Sequence, residues 1–213
     1  MSAINFQPWV GKDYQQGGIF GKKILVLGES HYCEDELKEN GRCYPSCERA
    51  KMLARCHSQT IDVIEELLND YKGLSYQKTF VCFERAVMGK ELSLSERAQF
   101  WNSVVFYNYM QYAQSGPVRP LEQKNDSSEA FKEILEKFSP DYIIVWGQRL
   151  YSNMPDWGGE ESFISINDQD KTKVWTYDIN GKKIPAMSVY HPSTPSGKNW
   201  EYWHEYYKIF LNL

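Results

Sequence analysis

Ile24-Leu25-Val26-Leu27-Gly28-Glu29-Ser30-His31-Tyr32 is the stretch from which the rest of the chain is read. Its first half is an unbroken apolar run, the pattern of a strand buried on both faces, as in a parallel sheet. Gly21 and Gly28 bound that run, so a strand is expected over residues 22–27. The second half turns polar at once and carries Glu29, Ser30, His31 and Tyr32. A second stretch, Met187-Ser188-Val189-Tyr190-His191-Pro192-Ser193-Thr194-Pro195, has the same shape: a short apolar run that opens into a His-bearing polar loop. In open α/β sheets, ligands bind just beyond the carboxyl ends of the strands. Two such loops point to a single site assembled from segments far apart in sequence.

Two more apolar runs join these, and the second stretch extends back to residue 186. Val104-Val105-Phe106-Tyr107 ends at Asn108, Tyr142-Ile143-Ile144-Val145-Trp146 ends at Gly147, and residues 186–190 lead into His191. Helices separate the runs. Residues 48–68 carry an apolar stripe through Ala50, Leu53, Ala54, Ile61, Ile64, Leu67 and Leu68, and such a stripe marks an amphipathic helix. Ser93-Leu94-Ser95-Glu96 is a capping box and predicts a helix over 94–103. Asp126-Ser127-Ser128-Glu129 opens another, which Pro140 stops. Residues 199–213 form an aromatic-rich closing helix. Residues 171–178 alternate weakly, as an antiparallel or edge strand would. Residues 6–20 are expected to wrap the surface, and residues 152–172 to form an excursion. Alternating short strands and helices predict an α/β fold, a three-layer α/β/α sandwich on a mainly parallel four-stranded central sheet, in a single domain spanning residues 1–213.

Composition narrows the classes of function. At 213 residues, with 42% hydrophobic and 24% charged, the chain can bury one real core and is not a disordered sequence. A net charge of −4 repels phosphate, so any nucleic-acid partner must be held by a local groove rather than by the whole surface. No stretch approaches the roughly 20 apolar residues of a membrane span. The opening residues lack the basic and apolar regions of a secretory signal. A cytoplasmic monomer with reduced thiols is expected.

The strand-end residues, taken in order, resemble the motifs of the uracil-DNA glycosylase superfamily. There a first motif, such as Gly-Gln-Asp-Pro-Tyr-His or Gly-Glu-Ala-Pro-Gly, follows the opening strand. A middle strand ends in Asn, a later one in Trp-Gly or similar, and a final one in His-Pro-Ser. The corresponding residues are Gly28-Glu29-Ser30-His31-Tyr32, Phe106-Tyr107-Asn108, Val145-Trp146-Gly147 and Tyr190-His191-Pro192-Ser193. The resemblance runs in order from about Lys22 to Ser196. It implies hydrolysis of the N-glycosidic bond of a flipped uracil, or another deaminated base, in DNA. His191 would stabilise negative charge growing on the departing base, as oxyanion-hole donors do. Asn108 would read the Watson–Crick edge, Tyr32 would exclude the thymine methyl, and Phe83, or else Phe80, would stack on the base. Gly28 and Ser30 would line the pocket, and Pro192 and Ser193 would press on the backbone beside the flipped nucleotide. Arg119, Lys124 and Lys198 would face the backbone from loops.

Two positions depart from the family pattern. Ser30 stands where the most active branch has the Asp that positions water, and His31 replaces a Pro. Glu29 matches the Glu of the second motif form and would activate water instead. Two further readings stay open: a non-catalytic nucleotide or nucleic-acid binding module of the same fold, and an ester hydrolase built on a Gly-Glu-x-His signature at residues 28–31. No cofactor is implied by the resemblance, because the four-Cys pattern of the superfamily's iron–sulfur branches needs a Cys ahead of the first motif and none precedes Cys33. Cys33, Cys43, Cys47 and Cys56 have a spacing that can chelate zinc, whose structural sites take four S or N ligands. The alternative for these four is reduced thiols.

Overall fold

The computed structural model describes residues 2–31, 54–111, 125–194 and 200–213. Strand β2, Ile24–Gly28, is fully buried. It pairs in parallel with β3, Val104–Asn108, on one side and with β4, Tyr142–Trp146, on the other. Strand β7, Lys182–Val189, continues the parallel run beyond β4. The four expected core strands are therefore adjacent and parallel, in the order β3-β2-β4-β7.

Among the described residues the sheet has seven strands, where four were expected. Three antiparallel strands extend its two edges: β1, Trp9–Val10, beside β3, and then β6, Lys171–Ile179, and β5, Glu160–Ser165, beyond β7. β6 and β7 form a hairpin closed by Asn180 and Gly181, both at positive φ (54° and 81°). This is the Asn-Gly turn whose twist suits a two-residue loop. The turn starts β7 four residues before the apolar run, and Pro185 falls where β7 has only β6 as a neighbour, a position that tolerates a missing N–H.

Side chains alternate along each strand, so each face carries its own core. Ile24, Val26, Val104, Phe106, Ile144, Trp146, Met187 and Val189 pack against helices α2, Gln59–Asn69, α3, Ser75–Met88, α4, Leu94–Asn102, and α7, Trp200–Leu211. Leu25, Leu27, Val105, Tyr107, Ile143 and Val145 pack against α5, Asn125–Phe138, and Leu150 of α6, Gln148–Tyr151. The capping box is present at α4, where the Ser93 N–H donates to Glu96 Oε2 at 2.9 Å and Ser93 Oγ accepts from the Glu96 N–H. The described part of the helix expected over 48–68 comes in two pieces, α1, Ala54–His57, and α2, separated at Ser58; its first residues lie outside the described residues.

Residues 6–20 run over the surface as expected, with Lys12, Asp13, Gln15 and Gln16 exposed, but are anchored into the core. Phe6 and Tyr14 are buried, Trp9 Nε1–H donates to the Trp101 carbonyl at 2.7 Å, and Gln111 Oε1 accepts from the N–H groups of Asn5 and Phe6. The aromatic and amide groups among the glycines tie this segment to the end of β3. Helix α3 was missed as an element, although Phe80, Phe83 and Val87 share its buried face and Gly89 ends it at φ 69°. That spacing followed by a C-terminal Gly is a helix signature. A buried ion pair joins α3 to α4: Arg97 Nε–H donates to Glu84 Oε1 at 2.7 Å, and Trp101 Nε1–H donates to Glu84 Oε2 at 3.0 Å. No helix of the described residues is long and apolar enough to cross a membrane.

Candidate functional site

The carboxyl ends of the four parallel strands lie side by side on one sheet edge and present Asn108, Gly28, Trp146-Gly147 and the His191 loop. Register fixes which of these share a face. Gly28 is opposite Asn108, Leu27 opposite Val145, and Trp146 opposite Val189. Asn108, Gly28 and Trp146 therefore project to the α2/α3/α4/α7 side. The Trp146 ring meets the His191 imidazole edge-on at 6.0 Å, which places His191 on that side too. With two strands between them, the backbones of β3 and β7 are about 14 Å apart. Asn108 and His191 thus flank an aromatic floor in which Phe106 and Trp146 are 5.1 Å apart, with Phe80 behind both at 5.2 and 5.3 Å.

Glycine keeps the middle of this edge low. A Cβ on Gly28 would fall 2.2 Å from Asn108 Oδ1 and 3.1 Å from Phe106 Cζ. The Asn108 side chain lies over Gly28 in the space another residue would fill. Gly147 sits at φ 102°, and its nearest neighbour to a Cβ is that of His191 at 3.8 Å.

His191 is held by its own loop. Nδ1 accepts from the Ser193 N–H at 3.3 Å and lies 2.7 Å from Ser193 Oγ. A neutral imidazole that accepts at Nδ1 carries its proton on Nε2. Ser193, expected in a loop that presses on the backbone beside the flipped nucleotide, contacts the His191 ring and orients it.

Asn108 rests on His31. The Asn108 Nδ2 is 3.2 Å from His31 Nε2 and 3.4 Å from Nδ1, and Thr60 Oγ1 is 2.9 Å from Nε2. The Phe6 ring packs against the imidazole at 4.3 Å. His31 is 5% exposed, and burial pushes its pKa down to about 3, so the ring is neutral. The Asn108 carbonyl accepts from Gln111 Nε2–H at 3.0 Å, which anchors the end of β3.

Glu29 is half-buried and paired with Arg149 of α6: Arg149 Nε–H donates to Oε2 at 3.1 Å, and an Nη2–H donates to Oε1. Such a two-point pair is geometrically specific. Ser30 is half-buried between Glu29 and His31. Phe83, expected to stack on a base, lies instead in the core, 1% exposed, with Trp146 at 4.9 Å, Phe100 at 5.8 Å and Tyr207 at 5.9 Å around it. Its ring faces are taken up by those neighbours. Tyr32, Cys33, Cys43, Cys47, Arg119, Lys124 and Lys198 lie outside the described residues. Cys56 is half-buried on α1. Among the described residues no three His, Cys, Asp or Glu side chains gather where they could hold a metal ion.

The sequence reading did not single out Arg149, Thr60 or Phe6. Arg149 follows Gly147-Gln148 at a strand end, a signal that was available. Thr60 and Phe6 reach the site only through tertiary packing. No family profile matches the chain, and no curated protein does.

Proposed function

We propose that the chain is a uracil-DNA-glycosylase-like protein, a cytoplasmic monomer with the three-layer α/β/α arrangement of that superfamily. It holds a flipped uracil, or another deaminated base, between Asn108 and His191. The observation that carries this reading is that these two residues, from strands β3 and β7, flank one aromatic floor on the same face of the sheet edge. Phe106 and Trp146 are each 2% exposed and form the packed base of that edge, and the two residue types above it suit the polar edge of a flat base.

In this reading the C1′–N bond breaks with its electron pair passing to the base. His191 donates from Nε2 to the base oxygen on which the negative charge collects. Such a donor contributes about 10²–10³ in rate. Water forms the new bond to C1′, and its proton passes to Glu29 once that carboxylate parts from Arg149. The departing base takes up a proton from solvent.

Incubation with uracil-containing single- and double-stranded oligonucleotides tests the reading. Abasic sites should form with the wild type and fall at least about 10²-fold with His191→Ala. Equal yields from the two proteins, or no product from either, would defeat it.

The Glu29–Arg149 pair favours a second reading, a binding module of the same fold in which Glu29 never activates water. Tight binding of uracil-containing single strands without turnover would select it. The ester-hydrolase reading needs Glu29 and His31 to share a water. Arg149 on Glu29 and the burial of His31 weigh against that.

A further inference from the structure

We propose that His31 is a positioning residue for Asn108: its imidazole face carries the Asn108 amide nitrogen and so holds the amide oxygen over Gly28, where it accepts from a ligand N–H. The inference rests on the reading of Asn108 as the residue that meets the base edge.

The geometry is specific. The amide nitrogen is almost equally far from the two ring nitrogens, 3.2 and 3.4 Å. An in-plane approach at those distances would run into the carbon between them, so the nitrogen sits over the ring face. An N–H group over the electron-rich face of a ring is a favourable contact. Turning the amide over would place its oxygen against that face, where both partners are electron-rich. The ring itself is fixed by Thr60 at 2.9 Å and by Phe6 at 4.3 Å. On the other side of the amide, the oxygen fills the space that a Cβ on residue 28 would occupy. Asn108 is therefore held from both sides in one orientation. An acceptor in that place suits the imide N–H of uracil and opposes the bare ring nitrogen of cytosine.

Nuclear magnetic resonance of the full chain tests the positioning without relying on activity. The Asn108 side-chain amide signal, assigned by its loss in Asn108→Ala, should lie upfield of ordinary Asn amides because of the ring beneath it. It should return to the ordinary range in His31→Ala and move back upfield in His31→Phe, which restores a ring. An Asn108 signal unmoved in a folded His31→Ala protein overturns the proposal. Should that variant fail to fold, Thr60→Val releases the imidazole alone, and an unmoved signal there overturns it equally. The second arm measures binding of single-stranded oligonucleotides with one central uracil or cytosine. The uracil preference should fall by about tenfold in His31→Ala. A moved amide with an unchanged preference overturns the selectivity claim. A wild type with no uracil preference overturns the base-reading role itself, while the amide signal still decides the positioning.

Discussion

Placing a methyl group on Gly28 tests the contact on which the site's geometry depends. The added Cβ would lie 2.2 Å from Asn108 Oδ1 and 3.1 Å from Phe106 Cζ. The first separation is far inside contact, so the Asn108 side chain must leave its place over Gly28 and its hold on His31. Overpacking of this kind costs about 1–3 kcal/mol. Gly28 is not at positive φ, so alanine suits its backbone and returns about 0.4–1 kcal/mol through the unfolded chain. The net destabilisation expected for Gly28→Ala is about 1–2 kcal/mol, or a fall in Tm of roughly 2–8 °C for a domain of this size. In an Asn108→Ala background the close contact is absent and only the Phe106 contact remains. There Gly28→Ala should be nearly neutral. Urea unfolding of the wild type, the two single variants and the double variant closes the cycle, with an expected coupling of about 1–2 kcal/mol. A coupling within about 0.5 kcal/mol of zero would refute the claim that Asn108 occupies the space above Gly28.

The remaining predictions concern charge and burial. His31 has its folded pKa at about 3, below the ordinary 6.5. The unfolded chain therefore binds the extra proton across that window, and His31 contributes stability that is fully present above pH ~6.5 and lost on acidification. The loss is about 1.4 kcal/mol per pH unit, read as a slope in urea unfolding between pH 7 and 5 that His31→Phe should flatten; an identical slope in the variant would remove His31 as its source. At the α3–α4 contact, Glu84→Ala leaves the buried Arg97 guanidinium and the Trp101 N–H without their acceptor. It should cost about 3–5 kcal/mol, a Tm fall of roughly 6–20 °C, and a change under about 2 °C in thermal unfolding would show that the pair contributes nothing. His191→Ala should leave Tm within about 2 °C of the wild type, since the ring is partly exposed on a loop, so that any lost cleavage is chemical rather than structural; a larger fall in thermal unfolding would undo that separation.

The parallel centre of the fold was legible in the chain because strands buried on both faces must be apolar at every position, and β2, β3 and β4 announce themselves in that way. The capping box at Ser93 was legible because its two hydrogen bonds join neighbours in sequence. Of the outer strands, β6 was legible as the weak alternation of residues 171–178, whereas β1 and β5 were not. Glu160–Ser165 is almost wholly exposed, and only its pairing with β6 makes it a strand. The segment around Phe6 and Tyr14 looked like surface because its glycines and polar groups outnumber the aromatic anchors that bury it.

The candidate site divides along the same line. Sequence alone determined that Asn108, Gly28, Trp146 and His191 stand at strand ends, because an apolar run that stops at a polar residue or glycine is a local signal. Tertiary structure alone decided that Asn108 and His191 share a face, that Glu29 meets Arg149, that Phe83 belongs to the core, and that His31 is a neutral support beneath Asn108. Each of these depends on strand register or on burial by segments distant in sequence. Those are properties of the packed chain, set by which side of the sheet a side chain leaves and what covers it there.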